Sequence, residues 1–366
     1  MSRAGCHIGT KIEIFSETAK KLERNLGSSG KSCNFAAENE DMRWIWISLV
    51  LAPLTLMAQE VTLSKQKAFP KTVSAGNYSG IAWLGGSKYA VVNDKSPTAG
   101  FYLMTIETDS ITGKLLSIRE DSCLTSGLPN RDEEGVCYMP QSQTIFVSGE
   151  KDQEILEYNL QGQLTGRKLN IPEVFKMTYS NGGFEALTYQ ANTHRFWTTS
   201  EFTLKADGEL PSIERKIKNR LRLQSFGDDL QPKEQYWYET DSTVIRKRKG
   251  RSILGVSGLA ALDDGSIVVL EREMYFPKKQ IGSYAQIRLY LVDPSQQQPG
   301  ELLRKTLLTE FRTKVNLTRR SFANYEGICV GPKLSDGRQV LILICDSQNQ
   351  YRGVMRDWFK TVVYDR

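Results

Sequence analysis

The sequence predicts an all-β fold: a β-propeller of five recognisable four-stranded repeats, five or six blades in all, closed into a ring by the N-terminal strand of the mature chain. Three observations carry this. A pattern of turn, short apolar strand, polar turn, second apolar strand and terminal acid recurs five times. One or two further strand-like runs follow most recurrences. Helical periodicity is weak, apart from a short basic stretch near residues 212–220. Radial repetition of four-stranded units is how a propeller leaves few exposed sheet edges. The competing architecture is a β-sandwich whose hairpins resemble one another by chance.

The recurrences are residues 78–94 (YSGIAWLGGSKYAVVND), 133–150 (EEGVCYMPQSQTIFVSGE), 184–201 (FEALTYQANTHRFWTTSE), 256–271 (VSGLAALDDGSIVVLE) and 325–346 (YEGICVGPKLSDGRQVLILICD). Their second residues lie at 79, 134, 185, 257 and 326, so the spacings are 55, 51, 72 and 69. Alternating apolar positions, β-branched residues and Gly, Asn and Asp turns mark the strands. Outer strands are expected at 101–107 and 114–119, 155–160 and 164–171, 220–225 and 235–240, 286–292 and 302–308, and 358–364. The last repeat has three strands, and the unpaired segment 61–69 is expected to supply its fourth. A sixth blade has room only within 202–250 or 274–322.

Residues 42–58 (MRWIWISLVLAPLTLMA) have the layout of a signal peptide: a positive Arg43, an apolar run, a helix-breaking Pro53 and a small Ala58. The apolar stretch is about fifteen residues, short of the ~20 that span a bilayer. Cleavage after Ala58 leaves a periplasmic or secreted domain, residues 59–366, with no stable membrane span. Residues 1–41 then read as an upstream extension that is not part of the native protein.

Composition narrows the chemistry. Lys and Arg total 48 against 42 Asp and Glu, a mild +6, with no compact basic patch interleaved with aromatics. Nucleic acid is therefore not an expected partner. There are two histidines, His7 in the leader and His194 in a turn. That excludes a Ser-His-Asp triad or a multi-histidine zinc site. The mature chain keeps Cys123, Cys137, Cys329 and Cys345, whose pairing the sequence leaves open. The basic run 246–251 (RKRKGR) reads as a solvated loop, with docking to an anionic surface as the sharper alternative.

The repeat also concentrates acids. In an antiparallel hairpin, the start of one strand lies beside the end of the other. The starts carry Ser79, Glu134, Glu185, Ser257 and Glu326, and the ends Asp94, Glu150, Glu201, Glu271 and Asp346. Around a propeller axis these ten positions face one end of the channel. Eight carboxylates in one funnel raise one another's pKa unless compensated. Three compensations are open: Ca²⁺ held by carboxylate and amide oxygens, pairing to Arg131 and Arg272, or retained protons. The bland alternative is that the acids bind neighbouring backbone N–H groups and staple the ring.

These residues resemble the family called esterase-like activity of phytase. The matching stretches are 130–136 (NRDEEGV), 181–188 (NGGFEALT), 201–209 (EFTLKADGE), 255–273 (GVSGLAALDDGSIVVLERE) and 324–346, with NYEGICVGP and LICD. Together they span roughly residues 75 to 362. The resemblance implies hydrolysis of phosphoric esters, with a small phosphorylated substrate and a monomeric protein. It implies Glu134, Glu185, Arg131 and Arg272 as catalytic groups, the arginines clamping phosphate and one glutamate acting as base. It implies Asp132, Glu150, Glu201, Glu271, Glu326 and Asp346 as ligands of Ca²⁺, and Asn181, Asn324 and Asp94 as substrate contacts. The sequence departs from similar proteins after Asp346, where SQNQYRGVM stands in place of an Asn-rich loop, so the resemblance does not extend a ligand role to Asn349. Lactone or carboxylic-ester hydrolysis, or binding without turnover, are the alternatives the same fold hosts.

Overall fold

The chain enters the ring through β1 (Val61–Leu63), which is the outermost strand of the last blade. Blade A follows as β2 (Tyr78–Gly85), β3 (Lys88–Asn93), β4 (Thr98–Thr108) and β5 (Leu115–Pro129). Blade B is β6 (Glu133–Met139), β7 (Thr144–Gly149), β8 (Glu154–Tyr158) and β9 (Leu164–Lys168). Blade C is β10 (Phe184–Gln190), β11 (Arg195–Ser200), β12 (Arg220–Gly227) and β13 (Pro232–Glu239). Blade D is β14 (Arg251–Ala261), β15 (Ile267–Phe276), β16 (Tyr284–Val292) and β17 (Lys305–Lys314). Blade E is β18 (Asn324–Lys333), β19 (Gln339–Asp346) and β20 (Phe359–Tyr364), completed by β1. This computed structural model describes residues 61–365 except 181, 213–214, 216, 246–249, 279–281, 317 and 319.

The architecture is therefore a five-bladed propeller of antiparallel four-stranded sheets. No sixth blade is present among the described residues. The signal-peptide and upstream segments lie outside them, as do Asn181 and residues 246–249 of the basic run. Of the 212–220 stretch, Arg220 begins β12, and no described residue there is helical.

Ring closure follows the expected route. Val61, Thr62 and Leu63 pair with Tyr364, Val363 and Val362, and Lys67 bridges to Phe359. The N-terminal strand thus covers the edge that β20 would otherwise expose. Each gap between neighbouring blades holds its own apolar cluster. Phe101, Val147 and Tyr158 fill the A–B gap. Phe146, Phe184 and Phe226 fill B–C. Leu223, Val256 and Tyr290 fill C–D. Leu270, Ile287 and Tyr325 fill D–E, and Tyr89, Met104 and Ile342 fill E–A. Burial of both faces against neighbouring blades explains why some strands read as near-continuous apolar runs, such as Val340–Ile344 in β19, rather than as strict alternation.

Several strand bounds shift: β5 runs on to Pro129 rather than ending at 119, and β1 ends at Leu63 rather than at 69. The inner hairpin of blade D runs from Arg251 to Phe276, well beyond the expected 256–271, with Arg251 paired to Phe276. Strand β17 begins at Lys305, later than expected, because residues 300–303 instead bond to β13 through Gln235 and Trp237. The four cysteines are free thiols, three of them buried. His194 sits in the turn before β11 and pairs with Asp228 at 2.7 Å.

The inner strands crowd the axis. A Cβ built on Gly80 would lie 2.3 Å from the backbone oxygen of Glu134, and one on Gly258 would lie 2.8 Å from that of Glu326. Only about 10 Å³ of space remains where the inner strands converge. Backbone cannot withdraw from such a clash without moving a whole blade. Gly80→Ala is expected to destabilise the protein by about 2–3 kcal/mol. A urea titration followed by tryptophan fluorescence checks this, and an unchanged midpoint would contradict the crowding.

Candidate functional site

Each inner strand carries one extra residue near its start. The register slips between Tyr78 and Ile81, Glu133 and Val136, Phe184 and Ala186, Val256 and Gly258, and Tyr325 and Gly327. The same β-bulge therefore recurs in all five blades at Ser79, Glu134, Glu185, Ser257 and Glu326. A bulge re-aims a side chain out of the normal alternation. In four blades the next residue is glycine, and in blade C it is Ala186. The recurrent Glu-Gly or Ser-Gly step is thus a bulge followed by a close backbone contact.

The opposing positions are fixed by register. Asp94 donates its N–H to Asn77, Glu150 to Asp132, and Glu201 to Gly183. Asp346 pairs with Asn324. The equivalent pair in blade D is Gly255 with Arg272. The hairpin-end set is therefore four acids and one arginine, and Glu271 stands one residue short of it. Strand alternation turns Glu271 the other way. It is fully buried between blades C and D, bound to Lys305 Nζ at 2.6 Å and Tyr238 OH at 2.7 Å. Glu271 does not reach the mouth.

The mouth is a cavity of about 470 Å³. Asp94, Asp132, Glu134, Glu150, Glu185, Glu201, Glu326 and Asp346 line it, with Lys95, Arg251, Arg272, Asn324 and Gln348. Eight carboxylates face three cations. Arg272 forms the floor and is buried. Its Nη1 donates to Asn324 Oδ1 at 3.0 Å and to Glu326, and its Nη2 donates to Glu201. Glu185 Oε1 lies 3.8 Å from Nη2. One guanidinium thus joins acids from blades C and E. Asn324 also donates to Glu326 at 2.8 Å.

Arg131 is not in the mouth. It grips Asp152 with Nε and Nη2, at 2.6 and 2.9 Å, and the Glu154 carbonyl at 2.9 Å. It braces the β7–β8 turn, and its remaining Nη1 is buried and away from the mouth lining. Neighbouring Glu133 points inward as well, accepting from the Arg131 N–H at 3.3 Å and from the Asn130 amide. Lys95, absent from the sequence-based set, spans Asp94 Oδ2 at 2.7 Å and Asp132 Oδ1 at 2.5 Å. Nothing in the repeat marked it, because it follows the hairpin. Gln348 reaches the mouth and binds Asp346 through its N–H and side chain, at 2.6 and 2.7 Å. Asn349 is exposed.

Burial dominates the protonation of these acids. Asp94 is pushed up to about 6 by burial, against the pull of Lys95. Glu326 is pushed up to about 8 by burial, against the pull of Arg272. Burial and then Glu185 hold Glu134 well above the carboxylate range. Burial and then Glu201 do the same to Glu185. Glu150, Glu201 and Asp346 are raised by burial too. The mouth thus uses two of the expected compensations, an arginine and retained protons.

One oxygen is left over. Asp94 Oδ1 is buried with no hydrogen-bond partner among the described residues. Ligand atoms of Asp94, Asp132 and Glu134 all lie within 4.8 Å of one another. The wall beside Asp346 is strained. Gln348, Asn349, Gln350 and Arg352 have φ of 52°, 50°, 55° and 48°, each costing about 1–2 kcal/mol for a non-glycine residue. Ser347 and Asp357 hold this loop, with Ser347 Oγ donating to Asp357 at 2.7 Å and Gln350 Nε2 to Asp357 at 2.8 Å.

Comparison with known proteins bears on this site. A family profile described as Phytase-like, esterase-like activity of phytase, matches residues 73–348. A search of curated protein sequences gave no match. Solved structures are similar at low identity. An endo-arabinase from Bacteroides thetaiotaomicron is 12% identical with TM-score 0.43, covering 83% of this chain and 98% of its own. A nidogen/laminin complex chain is 11% identical with TM-score 0.37, covering 77% and 83%. Streptogramin B lyase is 10% identical with TM-score 0.35, covering 83% and 98%.

A pH dependence follows for the cation-free protein. Glu326 binds a proton more tightly folded than unfolded, where its pKa is near 4.5. Its stabilising contribution is complete below that value and disappears as pH rises through about 8. Thermal melts in a chelator are expected to fall in Tm from pH 5 to pH 8.5. Arg272→Met should steepen that fall, because three acids lose their counter-charge, and cost about 3–5 kcal/mol at neutral pH. A flat profile in the wild type would refute the assignment of buried protons.

Proposed function

This chain belongs to the phytase-like family, described by the esterase-like activity of phytase, and on that premise we propose that it hydrolyses phosphoric esters at the acid mouth with the help of a divalent cation. The observation that carries this is the Asp94–Asp132–Glu134 cluster with its unpartnered Asp94 Oδ1. A buried acceptor without a partner costs about 1–3 kcal/mol. Three carboxylates around it form the hard oxygen set that Ca²⁺ prefers. Those three residues would hold the ion, and when bound it screens phosphate charge and polarises the phosphoryl oxygen.

The remaining roles fall to the chain's own residues. Lys95 neutralises Asp94 and Asp132 when no cation competes. Glu185, which burial and then Glu201 hold well above the usual carboxylate range, serves as the proton-transfer group, and Glu134 is kept as a ligand of the cation. Arg272 has both terminal nitrogens committed to carboxylates or Asn324 and positions Glu201 and Glu326. The cation suited to a phosphate oxygen is Arg251, which lines the mouth and has no ion pair among the described residues. The sequence placed Arg251 in a solvated basic run; register in the extended blade D hairpin brings it to the rim. Glu150 and Asp346 complete the wall. Export through residues 42–58 is part of the same proposal.

Bis(p-nitrophenyl) phosphate and p-nitrophenyl phosphate are expected to be hydrolysed with CaCl₂ and not with EDTA. Glu185→Gln should lower kcat/KM about a hundredfold or more. Lys95→Met, which removes a competing charge, should tighten Ca²⁺ binding about tenfold by calorimetry. Absence of turnover on any phosphoric ester with any divalent ion would sink the reading; turnover of lactones or carboxylic esters instead would select that chemistry. Sequencing of the exported protein should begin at Gln59, and a start before Met42 would contradict the leader.

A further inference from the structure

Beside the mouth, between blades D and E, lies a second cavity of about 560 Å³. Its walls are Ile253 and Phe276 from the extended hairpin, Val315 after β17, Phe322 before β18, and Val354 and Met355 from the strained β19–β20 loop. Ile253, Phe276, Val315 and Val354 are only partly covered by the core beneath them. A concave apolar surface of this size is the usual form of a small-molecule site, and isolated exposed apolar residues are not. The cleft is continuous with the mouth: Arg251, Ile253, Met274, Asn324 and Gln348 line both. Arg251 thus stands at the boundary between the acid cluster and an apolar cleft.

Resting on the hydrolase reading above, we propose that this cleft receives an apolar alkyl or aryl group esterified to the phosphate, so that the substrate is an amphiphilic phosphoric ester. The headgroup lies against the Asp94 cluster and Arg251, and the apolar group against Phe276, Phe322 and Val354. Arg251, Ser283, Asn324, Gln348, Tyr351 and Arg352 also line the cleft, but a polyhydroxylated alcohol would leave Phe276, Phe322 and Val354 without an apolar partner. The loop carrying Gln348 to Met355 holds both halves together: Gln348 binds Asp346 on the mouth side while Val354 and Met355 face the cleft. The strain in that loop is where a site built on two different chemistries would store it.

Calorimetric titration with methylphosphonate and octylphosphonate, in CaCl₂ and below micelle formation, tests the cleft without requiring turnover. A fully buried methylene is worth up to about fourfold in affinity, so octylphosphonate is expected to bind at least tenfold more tightly. Val354→Lys and Val315→Lys, each placing a charge in the cleft, should remove that advantage and leave methylphosphonate affinity within twofold. Equal affinities in the wild type, no binding of either ligand, or an advantage that survives both variants would overturn the proposal. Octyl preference without turnover of any aryl phosphate would sink the hydrolase reading alone; turnover without octyl preference would sink the cleft alone.

Discussion

Five inner strands share one axis, and the space between them is nearly gone. That crowding sets the rest of the structure. Gly80, Gly135, Gly258 and Gly327 face a neighbouring strand or its side chains so closely that a Cβ would fall within 2.9 Å of another atom. A bulge precedes each of these positions, and the extra residue has no place in the sheet's alternation. In blades B, C and E the glutamate there reaches the end of the channel, while Ser79 and Ser257 of blades A and D stay buried on the axis. Packing the axis and building the mouth are therefore the same geometric act in three blades of the five.

The mouth concentrates more negative charge than a half-buried site tolerates, and the molecule answers in three ways. Arg272 is the hairpin-end residue of blade D, where the other four blades have acids, so the ring carries its own counterion. Lys95 bridges Asp94 and Asp132 from just beyond blade A. Burial leaves protons on acids such as Glu326 at neutral pH. These answers are distributed unevenly. The terminal nitrogens of Arg272 are engaged by Asn324, Glu326 and Glu201, while Arg272 Nε and Asp94 Oδ1 are both left without a partner among the described residues. The carboxylates around Arg272 therefore already have a cation, and those around Asp94 share Lys95.

Blade D breaks the symmetry a second time. Its inner hairpin continues five residues past Val256 and Glu271 to Arg251 and Phe276. This extension raises a wall above the ring, supplies Arg251, and meets the β19–β20 loop of blade E across the apolar cleft. The repeated hairpin end supplies acids in four blades; the elongation of blade D gives the mouth an asymmetric rim.

The sequence alone determined the five-fold repeat, the four strands of each blade, the closure by residues 61–69 and the meeting of most of the acids. All of these follow from periodic patterns, which local chemistry writes directly into the chain. Register was not written there. The turns between paired strands differ in length, so spacing left a one-residue ambiguity at the end of β15, and a slip of one residue exchanges the two faces of a strand. That slip separates Glu271, bound to Lys305 and Tyr238, from Arg272 on the floor of the mouth. Arg131 was likewise beyond sequence reasoning, because its partner Asp152 lies in the following turn and meets it only once β7 and β8 pair. The tertiary structure alone decided which charges are satisfied by neighbours and which still face solvent, since that depends on distances across blades that no linear spacing encodes.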